Sequence, residues 1–199
     1  MQTIPYGNLE KRFQSVAGLA TLDATDKFFF KQSLNSRLRD AWDRADWPEL
    51  IELKTLPLTR DTANVLSTGQ VDFDVLEVWD KHPYGDQTAQ KILYQIIESD
   101  VLMRPTFTGS EIVVLAKKKF TDYEEGSLVP SFLENYLLSA ILADFFKGDG
   151  QADRAIREEN QAEEYMARAF DRVERLQQQN RPTIGQYSTT NPTLIYQST

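Results

Sequence analysis

The residues best able to do chemistry in this chain are four pairs of neighbouring carboxylates, which could serve acid–base catalysis or bind a divalent metal ion. They are Asp72/Asp74, Glu124/Glu125, Glu158/Glu159 and Glu163/Glu164. Adjacent residues on a helix point about 100° apart, so such pairs usually face solvent. Arginines are interleaved with the acids near the end of the chain, which is typical of ion pairs on a helix surface. The carboxylates therefore favour a solvated surface over a catalytic or metal site.

Nucleophilic and metal-binding chemistry has few other residues to use. The sequence contains no cysteine and a single histidine, His82. His82 stands directly before Pro83, which is typical of a loop residue and less typical of a base or a metal ligand. The chain contains no phosphate-binding glycine loop, no Gly-x-Ser-x-Gly and no His-Glu-x-x-His motif. We therefore expect a protein that is not an enzyme, with no catalytic residue, no metal site and no cofactor.

Charge opposes broad affinity for nucleic acid or membranes. The chain has 199 residues, of which 30 are acidic and 22 basic, so its formal net charge is −8. A surface of that sign repels phosphate groups. The only basic run, Lys117 to Lys119, either touches phosphate or discourages aggregation at a strand edge. Since neither a secretory signal nor a membrane-spanning stretch is recognisable, we expect a soluble protein.

The elements that position these residues change in character along the chain. Residues 1–48 and 127–180 carry apolar side chains at helical spacing, whereas residues 49–126 contain short β-branched and aromatic runs separated by turns. We predict an α+β fold in which N- and C-terminal helical pairs form a four-helix bundle. A small antiparallel β domain of four to six strands is inserted between the pairs, and residues 181–199 form an extended C-terminal arm.

Local signals place the ends of the first two helices. Pro5 suits the first turn of a helix that ends near Gly18. Asp23 suits the N-cap of a longer helix, and Pro48 ends that helix because proline disfavours helical geometry in the residue before it.

The last two helices are predicted to form an antiparallel hairpin. Pro130 suits position N1 of the third helix and Gly148 its left-handed C′ position. The fourth helix, residues 151–179, has alanines along a seam spaced by three and four, which lets a neighbouring backbone approach closely.

Two segments carry apolar side chains that one chain cannot easily bury. Phe28, Phe29 and Phe30 point in successive directions around the second helix, so they cannot all face one core. We expect Phe28 or Phe29 to contribute to a contact between protomers.

The second segment is the C-terminal arm, which has no charged side chain after Arg181. Such a segment cannot build its own core and is suited to lying along another surface or adding a strand to a partner's sheet. Its apolar anchors are Ile184, Tyr187, Leu194, Ile195 and Tyr196.

Several stretches together resemble the head–tail connector (adaptor) proteins of tailed bacteriophages. Residues 34–42 (LNSRLRDAW) and 47–50 (WPEL) are similar to the second helix of those proteins and its exit. Residues 129–136 (VPSFLENY), with Ala140, Ala143-Asp144, Asp149-Gly150-Gln151 and Ala162-Glu163, resemble their closing helical hairpin. The resemblance covers both helical pairs and consists of packing residues.

The resemblance implies a virion structural role in the neck, between capsid and tail, for a protein made in the host cytoplasm. Such proteins form a dodecameric ring beneath the portal, on which the tail is built, and DNA passes through the ring without specific binding. We expect the arm anchors to bind the portal protein and the β portion to meet tail proteins. Two alternatives remain, namely another neck or tail-completion ring protein, and a small metal-dependent hydrolase that uses clustered Asp and Glu.

Overall fold

The computed structural model describes residues 2–60, 66–103 and 107–180. In this part of the chain it contains α-helices and small antiparallel sheets. The α-helices are α1 (Tyr6–Ala17), α2 (Ala24–Arg44), α3 (Glu134–Gly148) and α4 (Ala152–Asn180). The strands are β1 (Thr3–Pro5), β2 (Ile51–Pro57), β3 (Thr59–Arg60), β4 (Leu66–Gln70), β5 (Phe73–Trp79), β6 (Tyr94–Ile97), β7 (Asp100–Met103), β8 (Glu111–Lys118) and β9 (Leu128–Pro130).

The end of α1 and the start of α2 follow the predicted local signals, but the other two predicted ends are wrong. Pro5 has the extended geometry of the last residue of β1, and α2 ends at Arg44, before a 3-10 turn that begins at Pro48. Gly18 adopts a left-handed conformation with φ 77°, and its amide donates back to the last turn of α1. Asp23 accepts a hydrogen bond from the Asp26 amide at 2.8 Å, while the Asp26 side chain accepts from the Asp23 amide. This reciprocal pair satisfies amides that the start of α2 would otherwise leave without partners.

The predicted ends of α3 are wrong. Pro130 pairs with Thr3 at the end of the β1–β9 ribbon, and α3 begins only after a 3-10 turn, Ser131–Leu133. The ring of Pro130 holds φ near −58° while ψ is 121°, an extended geometry that suits a strand end. Gly148 lies inside α3, and Gly150 is the glycine with the positive φ of 74°.

The β segment is antiparallel as predicted but is divided between two sheets. One sheet has the order β2-β8-β5 and the other the order β3-β4-β7-β6, so the described residues hold seven strands in this segment instead of four to six. β8 is the central strand of the first sheet, and β6 is an edge strand of the second.

Two hydrophobic cores organise the described part of the chain. The helical region, α1 to α4, shares a core in which α3 contacts each of the other helices. Trp47, Phe13 and Tyr136 are among its large, fully buried side chains. The sheet region, β2 to β8, has a smaller core around Ile112 and Val101.

Lys117 and Trp42 join the two regions. The Nζ atom of Lys117 donates to the carbonyl of Ala45 at 2.9 Å and lies 3.1 Å from a carboxylate oxygen of Asp46, just beyond the end of α2. Trp42 Nε1 donates to the carbonyl of Lys118 at 2.7 Å. Since Lys117 and Lys118 belong to the central strand β8, the predicted edge role of the basic run is wrong for them. A lysine ammonium at the C-terminal end of α2 is instead well placed to bind its free carbonyls.

Candidate functional site

The four carboxylate pairs are spread over the structure, and four of their eight members form ion pairs. Glu159 and Glu163 on α4 pair with arginines of α2, and Glu124 pairs with a lysine of α2. Glu164 lies 3.5 Å from Arg168 one turn later, the spacing predicted from the sequence. Among the described residues, no three Asp, Glu or His side chains come together in a way that could hold a metal ion. The hydrolase alternative therefore has no cluster of acids to support it in this part of the chain.

Arg37 is the centre of the best-formed polar network and joins three helices. Its guanidinium donates to both carboxylate oxygens of Asp144 on α3, at 3.0 and 2.5 Å. It also donates to both oxygens of Glu159 on α4, at 3.0 and 2.9 Å. Ser33 donates to the same Asp144 carboxylate at 2.5 Å. The hydrogen bonds that Arg37 donates, to Asp144 above all and also to Glu159, raise the pKa of its guanidinium, so its charge is permanent.

Sequence reasoning did not single out Arg37 as a site residue. Asp144 is 107 positions away along the chain and Glu159 is 122 positions away, so no local spacing marks the three side chains as partners. Both oxygens of each carboxylate accept hydrogen bonds from the same guanidinium. The network therefore acts as a clamp that holds α2, α3 and α4 together, and neither carboxylate in it is free to act as an acid or a base.

An open cleft lies beside this network, between α2, α3 and α4. Its volume is about 360 Å³, and its apolar wall is formed by Ala143, Ala152, Ala155 and Ile156. Lys147 lies at the same cleft together with the Arg37 network. Ile156 is 60% exposed, which is high for an isoleucine beside a buried helix pair. The cleft can accept an apolar group.

Phe28 and Phe29, the predicted protomer contacts, have different surroundings. Phe29 packs against Phe13 and Phe145, with ring centroids 6.5 and 5.9 Å apart, and so contributes to the helical core. Phe30 is fully buried against Phe13 at 5.3 Å. Phe28 is 65% exposed. Of the three rings, Phe28 is the one left for a contact outside its own chain.

The edge strand β6 is a second apolar surface. Ile96 is the register partner of Val101 on β7; Val101 is fully buried, whereas Ile96 is 48% exposed. Leu93 and Ile97 on the same segment are also exposed. The apolar face of the sheet therefore extends to an edge that the described residues do not cover, which is typical of an interaction site.

His82 lies in the loop between β5 and β6, as predicted. Its carbonyl accepts hydrogen bonds from the amides of Gly85 and Asp86, at 3.1 and 3.0 Å, which form a tight turn. Hydrogen bonds from Thr88 lower the pKa of the Asp86 carboxyl. The Tyr84 ring is exposed and lies 6.2 Å from the imidazole of His82. These contacts give His82 a structural role in the turn.

The predicted arm anchors, Ile184, Tyr187, Leu194, Ile195 and Tyr196, lie outside the described residues. The described helix α4 leads towards the place where the two regions join, since Arg172 forms an ion pair with Glu49, two residues before β2 begins.

No protein-family model matches the sequence, and no curated protein is significantly similar to it. None of the described helices is both long and apolar enough to cross a membrane.

Proposed function

We propose that this chain is a virion structural protein, a head–tail connector that forms a ring beneath the portal of a tailed bacteriophage. The ring joins the DNA-filled capsid to the tail in the neck of the virion and lets DNA pass. In this proposal α1 to α4 form a four-helix bundle within the ring, the sheet region projects towards tail proteins, and the C-terminal arm binds the portal protein.

The observation that carries the proposal is the convergence of the residues on which the resemblance rests. Arg37 from the first stretch binds Asp144 from the second. The rings of Trp47 and Phe132, which belong to different stretches, are 5.2 Å apart. Segments that resemble one family and also pack against one another behave as a single structural unit, which supports a common origin more strongly than scattered similarity would.

The apolar surfaces support an assembly role. Phe28, the cleft at Ile156 and the β6 edge are separate exposed apolar sites on one small chain. Exposed apolar surface of this kind is available for contacts with other proteins. A subunit of a ring between two other structures needs such sites for its neighbours and for its partners above and below.

Charge supports the passage of DNA without binding. The net charge of −8 includes no charged residue after Arg181, so the acidic groups all lie in residues 1–180. A negatively charged lumen repels DNA phosphates and lets a duplex slide. The uncharged arm can meanwhile contact another protein without desolvating charges.

Removal of the arm tests the proposal. A chain that ends at Arg181 keeps every described residue and should fold, but it should no longer join portal-bearing capsids. Circular dichroism checks the fold, and sedimentation of capsids with bound protein checks the joining. A full-length variant with Ile195→Ser and Tyr196→Ser should behave like the truncation, whereas Thr189→Ala, a change in the same arm, should bind normally.

Two outcomes would contradict the proposal. If the truncated chain still bound capsids, the arm would not be needed for binding to the portal. Failure of the full-length chain to join portal-bearing capsids would remove the connector function altogether. Imaging of assembled particles distinguishes a ring next to the portal from a tail-completion ring farther down the neck.

A further inference from the structure

Phe28 and the cleft at Ile156 are complementary features of one chain. The Phe28 ring is largely exposed, and the cleft is an apolar hollow of about 360 Å³. A cavity of roughly 150 Å³ is large enough for a benzene molecule. The cleft therefore has room for a phenylalanine side chain from another molecule.

An aromatic ring can enter the cleft without leaving a charged group buried and unpaired. The two carboxylates that line it, Asp144 and Glu159, are already bound by Arg37. Lys147 also lines the cleft, and a lysine ammonium is attracted to the face of an aromatic ring. The remaining wall is alanine and isoleucine, which favours an apolar guest.

The two features point in opposite directions. Phe28 and Arg37 are nine residues apart on α2, which is two and a half turns at about 3.6 residues per turn. Arg37 faces the cleft, so Phe28 lies on the far side of the same helix. Two copies cannot insert their Phe28 rings into each other's clefts at the same time, and only a head-to-tail arrangement uses both features of every copy.

We propose that Phe28 of one copy inserts into the cleft at Ile156 of the next copy and is the anchor of the contact between neighbouring protomers. A head-to-tail contact of this kind generates a ring if the rotation closes. The inference rests on the proposed ring assembly and adds the interface through which it forms. A second copy of this chain is the partner that fits the cleft, because every copy carries both the exposed ring and the cleft that can bind it.

Mixing two full-length variants, each of which lacks one side of the contact, tests this proposal. Phe28→Asp removes the inserted ring and leaves the cleft unchanged, whereas Ile156→Asp places a charge in the cleft and leaves the Phe28 ring unchanged. Each variant alone should lose at least about thirtyfold in self-association affinity, the effect of removing an interface hot spot. Mixed together, they should form a one-to-one dimer and nothing larger, as measured by analytical ultracentrifugation. Tyr84→Asp changes an even more exposed aromatic side chain, in the loop between β5 and β6, and this variant should associate like the unmodified chain.

Chemical cross-linking supplies a second measurement. The chain has no cysteine, so Phe28→Cys and Ile156→Cys place unique thiols at the two features. A short bismaleimide should join a Phe28→Cys chain to an Ile156→Cys chain at least about tenfold faster than it joins Phe28→Cys to Tyr84→Cys, because contact holds the first pair at high effective concentration.

The possible failures can be told apart. If the unmodified chain assembles but Phe28→Asp assembles equally well, or cross-linking shows no preference, the Phe28 contact is wrong and the connector proposal stands. If the unmodified chain associates neither with itself nor on portal-bearing capsids, the connector proposal and the contact fall together. A one-to-one dimer from the two broken variants is the outcome that supports the contact.

Discussion

The helical region and the sheet region differ in how completely each buries its own apolar side chains. In the helical region, most aromatic and aliphatic side chains from α1 to α4 share one enclosed core, with Phe28 and Ile156 among the exposed exceptions, and Arg37 clamps three helices beside that core. The sheet region has a smaller core, and its apolar face continues to an exposed edge at β6. The helical region thus has the larger enclosed core and isolated exposed apolar side chains, while the sheet region leaves the apolar edge of a strand uncovered.

The largest expected difference between the regions concerns their cores. Leu137 on α3 and Ile112 on β8 are both fully buried. We expect Leu137→Ala to cost about 4 kcal/mol of unfolding free energy and Ile112→Ala about 2 kcal/mol, because the cost rises with the cavity that the surroundings cannot fill. Denaturant unfolding measures both. Equal losses would mean that the sheet core is as tightly enclosed as the helical core.

The clamp at Arg37 gives the next largest effect. Arg37→Met leaves the carboxylates of Asp144 and Glu159 without their shared cation. We expect the unfolding free energy to fall by about 2 kcal/mol. This is less than the cost of breaking a fully buried ion pair, because solvent reaches both carboxylates. Arg39→Met is the matched control on the same helix. Its partner Asp122 is as exposed as Arg39 itself, so its loss should stay within about 0.5 kcal/mol. Similar losses in the two variants would show that the clamp contributes no more than a surface ion pair.

The smallest expected effect on stability concerns two neighbouring strands of the sheet region, β6 and β7. Val101 and Ile96 are register partners on β7 and β6, yet only Val101 is enclosed. We expect Val101→Ala to cost about 1.5 kcal/mol and Ile96→Ala about 0.5 kcal/mol in the isolated chain, in proportion to the apolar area each buries. Thermal and denaturant unfolding of both variants would check this. A large loss for Ile96→Ala would indicate that the β6 edge is already covered in solution.

Features set by neighbouring residues could be predicted from the sequence. Gly18 ends α1 because a glycine adopts the left-handed conformation without steric cost, and Asp23 begins α2 because its carboxylate reaches an amide three residues later. Pro130 and Gly148 carry equally plausible local signals, but their predicted roles are wrong. The pairing of β9 with β1, more than a hundred residues away in sequence, draws Pro130 into a strand.

The candidate site was predictable only in part. Three consecutive phenylalanines indicate that one ring must point away from the core, but the sequence does not say which one. The packing of Phe29 against Phe13 and Phe145 leaves Phe28 outside. The cleft had no sequence signal at all, because its walls come from α2, α3 and α4 and meet only after the chain has folded.

The sequence by itself determined the order of the helical and β segments, the C-terminal cap of α1, the N-terminal cap of α2, the excess of acidic residues and the absence of charged side chains after Arg181. These depend on backbone preferences and charges that act over a few residues. Tertiary structure alone decided which carboxylates Arg37 binds, that Lys117 lies on a central strand, and that Phe28 and the cleft face opposite ways. The physical reason is that burial and ion pairing depend on distance in space, and residues far apart in sequence come close only when the apolar faces of several elements pack together.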